Sequence, residues 1–301
     1  RIFTKTYQRG TDQQKNTDYR GLNHATERMS DMLLILLAFI LLFYIFALMP
    51  RLSKRSEMLP FLHTQFAHRG FHCAEKQIPE NSIPAFGAAL AHGYGIELDL
   101  HLTKDRRLVV FHDDTLERIC GVKGRIEAYT YDELLNFHLL NTTEKIPLFD
   151  DVLKLVHGRV PLLIELKIPS KSLDICPETL RLLENYEGAF LIQSFNTMGL
   201  RWFKNHAPQV LRGQLSSNLT AKNTGENYVL CFLIKHLLSN ILGRPDFISY
   251  KLSDLPAISV SICRSLFKVP VAVWTLRTEE DLEIGRKYYD IQIFEKSRNL
   301  Y

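Results

Sequence analysis

The sequence predicts an α/β chain: a (β/α)8 TIM barrel with an insertion after the second strand, preceded by one transmembrane helix. Three observations carry this expectation. From Phe66 onward, eight short apolar runs alternate with stretches of helical periodicity, the pattern of a closed parallel sheet with its helices outside. Residues that ionise or bind metals stand where those runs end, which is the functional face of such a barrel. Ahead of them, Met32–Met49 (MLLILLAFILLFYIFALM) carries no charge, no Gly and no Pro.

The expected organisation is a polar N-terminal segment at 1–31, a transmembrane helix at 32–49, a linker at 50–63 and the barrel at 64–301. The first segment lacks hydrophobic periodicity. The apolar run is about as long as the minimum helix that spans a bilayer, and Pro50 ends it. A secretory signal is the rival reading, but no small-x-small cleavage site follows. Arg51, Lys54 and Arg55 follow the run directly, against Arg28 and Asp31 before it. The positive-inside rule then puts the C-terminal domain on the cytoplasmic side of a single-pass protein.

Strands are expected at Phe66–Arg69, Ile96–Leu100, Leu162–Lys167, Phe190–Phe195, Val210–Leu215, Phe247–Tyr250, Val269–Thr275 and Ile291–Phe294. Helices are expected at Asn81–His92, Leu148–Val156, from Pro177 to about Tyr186, at Thr197–His206, near Leu255–Phe267 and at Glu279–Lys287. The stretch at about 101–146 is too long for an ordinary barrel loop. It holds a strand-like LVVFH and a helical Tyr131–His138, and because it carries His112 it should fold over the barrel mouth. Tyr228–Leu242 is a second apolar stretch, too short to span a membrane. It reads either as an interfacial amphipathic helix that lets lipid reach the site or as a buried helix covering the barrel.

Composition narrows the function. A net charge of +4 suits an anionic substrate or a membrane surface. No Lys/Arg stripe interleaved with aromatics is present, so a nucleic-acid partner is not expected. Five scattered cysteines without a C-x-x-C pair suggest neither a zinc site nor a disulfide framework, and fit reduced thiols.

The chemistry-bearing residues follow from strand parity. Glu97 and Asp99 lie two apart and so point to one side. Two carboxylates on one buried face repel, and a hard divalent cation such as Mg²⁺ or Ca²⁺ removes the conflict. The plain alternative is an edge strand with its acids in water. Leu163, Glu165 and Lys167 share one parity in PLLIELK. Glu165 then offers a third metal oxygen and Lys167 a phosphate-binding charge, unless they form a simple strand-end ion pair. Arg69 suits bidentate phosphate contact, with Glu80 orienting it. Histidine as a residue type titrates near neutral pH, so His68 and His112 can work as an acid/base pair. Trp274 would give the pocket an apolar wall or pack in the core, and Gln193 and Phe195 end the fourth strand as pocket candidates. The other histidines read as structural or surface residues.

The order His68-Arg69-Gly70, Pro79-Glu80-Asn81, Glu97-x-Asp99, His112-Asp113, Glu165-x-Lys167 resembles the glycerophosphodiester phosphodiesterase family, from roughly Thr64 to Phe294. It is most similar to bacterial members with an N-terminal membrane segment. The resemblance implies metal-dependent hydrolysis of glycerophosphodiesters to glycerol 3-phosphate and an alcohol. It implies Ca²⁺ or Mg²⁺ on Glu97, Asp99 and Glu165, with His68 and His112 as general acid and base. It further implies that the substrate's neighbouring hydroxyl attacks first, giving a cyclic phosphate. Two rivals stand beside it. A lysophospholipase D would cleave the same bond in a lysolipid, and the apolar run and Tyr228–Leu242 favour it. An inactive lipid- or phosphate-binding membrane protein on an enzyme fold is the other, and the intact residue set argues against it. One departure stands out: family members often end the eighth strand with the acid of a T-D or F-D pair, whereas here IQIFEKS puts Glu295 in that place. It bears on the shape of that pocket wall.

Overall fold

The structure, a computed structural model, describes residues 28–221 and 227–295. The chain divides into two units, Arg1–Ala47 and Leu48–Tyr301. In the first, helix α1 (Arg28–Leu48) starts four residues before the predicted run and ends one residue short of it. Arg28 and Asp31 stand in its first turn, and its 21 residues are together apolar enough and long enough to cross a membrane. At 1.5 Å per residue they reach about 32 Å, close to the hydrocarbon thickness of a bilayer.

Among the described residues, the second unit carries nine strands: β1 (Gln65–Ala67), β2 (Gly95–Leu102), β3 (Leu108–Val110), β4 (Leu162–Leu166), β5 (Phe190–Ser194), β6 (Arg212–Ser216), β7 (Phe247–Lys251), β8 (Val271–Leu276) and β9 (Ile291–Phe294). Eight of them pair in parallel in the order β1-β9-β8-β7-β6-β5-β4-β2, and β1 pairs again with β2 to close the barrel. β3 lies outside the ring, antiparallel to β2. The helices are α2 (Ile83–Ala91), α3 (Glu117–Cys120), α4 (Tyr131–Leu134), α5 (Phe149–Val156), α6 (Ile175–Leu183), α7 (Thr197–His206), α8 (Tyr228–Lys235), α9 (Asn240–Gly243), α10 (Ile258–Phe267) and α11 (Glu279–Tyr288). The eight-stranded expectation holds.

Parity organises the interior. One inward set, Phe66, Leu163, Leu191, Leu211, Phe247, Ala272 and Ile291, packs into a buried apolar layer near the N-terminal ends of the strands. Further along the same strands the inward positions turn polar: Glu165 follows Leu163, Gln193 follows Leu191, and Glu295 follows Ile291 and Ile293. Gly213 belongs to this layer, because a Cβ there would come within 2.2 Å of the Phe247 ring. Exchanging Phe247 for Ala would cost about 3–5 kcal/mol by the usual core-cavity scale.

The segment expected as a linker at 50–63 contains a 3-10 helix, Arg55–Phe61. Its Met58 and Phe61 join the apolar layer and plug the barrel from below, so this stretch is part of the packed unit. Polar flanks and Pro60 hid that role in the sequence.

The insertion has its own small core of Val109, Phe111, Leu116, Ile119, Ile126, Leu134, Leu139 and Ile146. Its helices are single turns; the predicted Tyr131–His138 helix shrinks to α4, started by a Thr130/Glu133 capping box. The stretch Tyr228–Leu242 is not one helix. Leu237 takes φ +57° and is fully buried, which separates α8 from α9.

Candidate active site

The site begins at the turn after β1. Arg69 has φ +56° and Gly70 φ +78°, and a Cβ on Gly70 would sit 2.9 Å from the Ala85 backbone. Glycine is therefore required there. The turn lets the Arg69 backbone N–H donate to Glu97 Oε2 at 3.0 Å. Asn81, at φ +53°, is turned out of α2, which Ser82 caps instead. Its Nδ2 donates to Asp99 Oδ2 at 2.9 Å.

Glu97, Asp99 and Glu165 are buried and converge, with ligand oxygens all within 4.8 Å of one another. The β2–β4 register sets Asp99 beside Glu165. Lys167 Nζ stands 2.6 Å from Glu165 Oε1 and 3.0 Å from Asp99 Oδ1. Burial first, then the charges of Asp99 and Glu165, push the Glu97 pKa well above the carboxylate range. Asp99 stays ionised against burial because Lys167, His112 and Arg69 surround it. Three acids thus share two nearby cations, Arg69 and Lys167. A hard divalent cation fits both this oxygen donor set and its excess negative charge.

Two histidines face this cluster. His68 Nδ1 donates to Glu295 Oε1 at 2.8 Å, which leaves Nε2 free, 4.0 Å from Glu97 Oε2. Burial lowers the His68 pKa to about 4 against the pull of Glu295, so its ring is neutral near pH 7. His112 Nδ1 donates to Asp113 Oδ1 at 2.6 Å. His101, read as structural, holds the His112 carbonyl through Nε2 at 3.3 Å.

The insertion is tied to the barrel by an ion network. Arg118 on α3 reaches Asp113 at 2.6 Å and Glu80 at 2.7 Å, and Glu80 in turn takes Arg69 Nη1 at 2.7 Å. Burial disfavours a charged Glu80, but Arg118 and Arg69 outweigh it and bring its pKa down to about 2. Glu80 thus bridges Arg69 and Arg118.

A cavity of about 270 Å³ opens at the C-terminal ends of the strands. His68, Arg69, Glu97, His112, Glu165, Lys167, Gln193, Phe195 and Trp274 all line it. Asp99 lies beneath them and Glu80 behind Arg69. Trp274 lines the cavity and also packs on the apolar layer, edge to Phe195 at 6.0 Å. Its indole Nε1 and Gln193 Oε1 are buried without a hydrogen-bond partner. Sequence reasoning did not assign roles to Asn81, Arg118 or Arg277, nor to Glu295 as partner of His68. Arg277 holds Glu295 at 2.7 Å.

The model of the glycerophosphoryl diester phosphodiesterase family matches residues 68–292. The chain belongs to that family. Among relatives, a glycerophosphodiester phosphodiesterase of Bacillus altitudinis is 36% identical over 157 residues, 48% of this chain and 63% of that protein. YhdW of Bacillus subtilis (strain 168) is 34% identical over 194 residues, 58% of this chain and 77% of that protein. The solved structure of an Oleispira antarctica phosphodiesterase, in complex with the product sn-glycerol-3-phosphate, shares the fold at TM-score 0.64 and 22% identity. It covers 78% of this chain and 94% of that one. The match thus takes in nearly the whole of that barrel.

Proposed function

We propose that this chain hydrolyses glycerophosphodiesters to glycerol 3-phosphate and an alcohol, depends on a divalent cation, and uses His68 and His112 as its acid/base pair. One observation carries the reading: two histidines, each oriented at Nδ1 by a carboxylate, look into a cavity with three convergent carboxylates and two cations at its base. The Oleispira neighbour with its bound sn-glycerol-3-phosphate supports the same product here.

Glu97, Asp99 and Glu165 would hold Mg²⁺ or Ca²⁺. Such a cation supplies Lewis-acid stabilisation of charge on the phosphoryl oxygens. Arg69, braced by Glu80, would take a phosphate oxygen in a bidentate contact, and Lys167 would add a point charge. Neutral His68 can accept a proton at Nε2 because Glu295 holds the other nitrogen protonated. Proton uptake from the attacking oxygen and delivery to the leaving oxygen would be divided between His68 and His112. Trp274 and Phe195 would exclude water around the alcohol.

The test is a panel of diesters with Mg²⁺, Ca²⁺ or EDTA. We expect glycerophosphocholine to release glycerol 3-phosphate with either ion or both, and EDTA to stop it. A panel without metal-dependent turnover would leave a binding protein. Lysophosphatidylcholine belongs in the panel because exposed apolar side chains on α8 favour a lysolipid substrate as the second reading.

α1 would anchor the protein as a single pass with the barrel on the cytoplasmic side. Arg51, Lys54 and Arg55 support this, and they act on the nascent chain before Arg51 pairs with Asp246. Protease added to intact cells should spare the barrel. Digestion there would reverse the orientation, and a mature protein starting after Met49 would remove the anchor.

A further inference from the structure

α8 differs from α5 and α11 in what it shows to solvent. α5 turns Asp150, Asp151 and Lys154 outward, and α11 shows Glu279, Glu280 and Lys287. α8 instead exposes Tyr228, Val229, Leu230, Phe232 and Leu233, while Cys231 and Ile234 turn inward. It has no acidic residue, and Lys235 is its single cation. An apolar face of this size on a solvent-facing helix marks an interaction surface.

Its position is defined. Ser216 Oγ donates to the Ile234 carbonyl at 2.9 Å, and Tyr250 OH donates to the Lys235 carbonyl at 3.2 Å. Those anchors sit at the C-terminal ends of β6 and β7, beside Leu215 and Lys251, which line the catalytic cavity. α8 therefore stands at the rim of the mouth.

The covering partner follows from connectivity. Asn240 Nδ2 donates to the Leu48 carbonyl at 3.1 Å, and Arg244 Nη1 to the Met49 carbonyl at 2.7 Å. Leu48 is the last residue of the apolar helix. Asn240 follows Lys235 by five residues along the chain, a reach of at most about 18 Å. The end of α8 is thus held close to the residue at which the membrane-length helix hands over to the barrel. Cations collect there too: Lys204 donates to the Leu242 carbonyl, with Arg201, Arg212 and Arg244 near enough to lower its pKa after burial has done so. Arg201, Lys204 and Arg244 suit anionic headgroups.

We infer that the exposed face of α8 docks into the bilayer interface beside the active-site mouth, so that the enzyme meets its diester at the lipid surface. Apolar side chains enter the acyl–headgroup boundary while Lys235 stays at its polar edge. This inference names the partner of the proposed catalytic site and rests on that reading for its purpose. The docking itself can be measured without turnover.

The experiment uses the full chain in nanodiscs of phosphatidylcholine and phosphatidylserine, with or without bromine on the acyl chains. Tyr228→Trp and Val229→Trp add a reporter at exposed positions, and Tyr288→Trp on α11 is the control. After subtraction of the parent protein's signal, brominated lipid should quench the two α8 reporters and leave the control bright. If neither α8 reporter is quenched, as when a second copy covers the helix, the docking is overturned. In a second arm, Leu230→Asp with Phe232→Asp should slow turnover of lysophosphatidylcholine in nanodiscs about tenfold, the effect of ~1.4 kcal/mol. Glycerophosphocholine in solution should be cleaved as before. Equal turnover of the lipid by parent and variant would also count against the docking. Loss of all diester cleavage by the parent would defeat the hydrolase reading, while the quenching still decides the membrane contact.

Discussion

Glu97→Gln should give a folded barrel that gains no thermal stability from Mg²⁺ or Ca²⁺ and turns over glycerophosphodiesters about a thousandfold more slowly. A catalytic cation is worth several kcal/mol of transition-state stabilisation, and each 1.36 kcal/mol is tenfold in rate. Glutamine keeps the shape and one oxygen, so the Arg69 N–H retains an acceptor. It also removes the charge that burial, Asp99 and Glu165 oppose, so the metal-free melting temperature should hold or rise. Thermal melts with and without metal, beside turnover, read both effects. A variant that keeps its metal-dependent melting shift and its rate would move the cation site elsewhere.

His68→Ala and His112→Ala should each lower kcat by about a hundred- to ten-thousand-fold with the metal-dependent melting shift intact. A nitrophenyl diester has a leaving group that needs little protonation, so it should rescue whichever variant has lost the acid and not the other. Glu295→Gln tests the positioning of His68. Its loss should be smaller, and it should move the acid limb of the pH profile to lower pH. The sign follows from charge: Glu295 favours the protonated ring, so removing its negative charge lowers the His68 pKa further. Near-normal turnover by either alanine variant would make that histidine a packing residue.

Most of the barrel was legible because parallel strands buried on both faces read as apolar runs, and the period of two then aims their polar ends. Glu97, Asp99, Glu165 and Lys167 all follow from that rule. Glu295 follows from it too: Ile291, Ile293 and Glu295 share one parity, so its place at the mouth beside His68 was within reach. Arg118 was not. It sits on a single-turn helix in the insertion, where no periodicity survives, and its partners Asp113 and Glu80 lie on different elements. Asn81 was visible in Pro79-Glu80-Asn81, but its contact with Asp99 depends on a left-handed backbone that the sequence does not announce. The break at Leu237 was hidden for the same reason, since leucine rarely adopts a positive φ.

The change from apolar to polar along each inward strand face has a consequence for how such a protein can diverge. Persistence of the fold and choice of substrate are written on separate storeys of the same eight strands. Gln193, Phe195, Leu215 and Trp274 border the cavity without belonging to the carboxylate cluster or the histidine pair. We expect drift at Gln193, Phe195 and Leu215 to retune which alcohol is accepted while the storey below keeps the barrel shut, whereas Trp274 also packs on that lower storey. The Arg118 network sets the limit on that freedom: the insertion bearing His112 and the turn bearing Arg69 share one charge balance, and must change together.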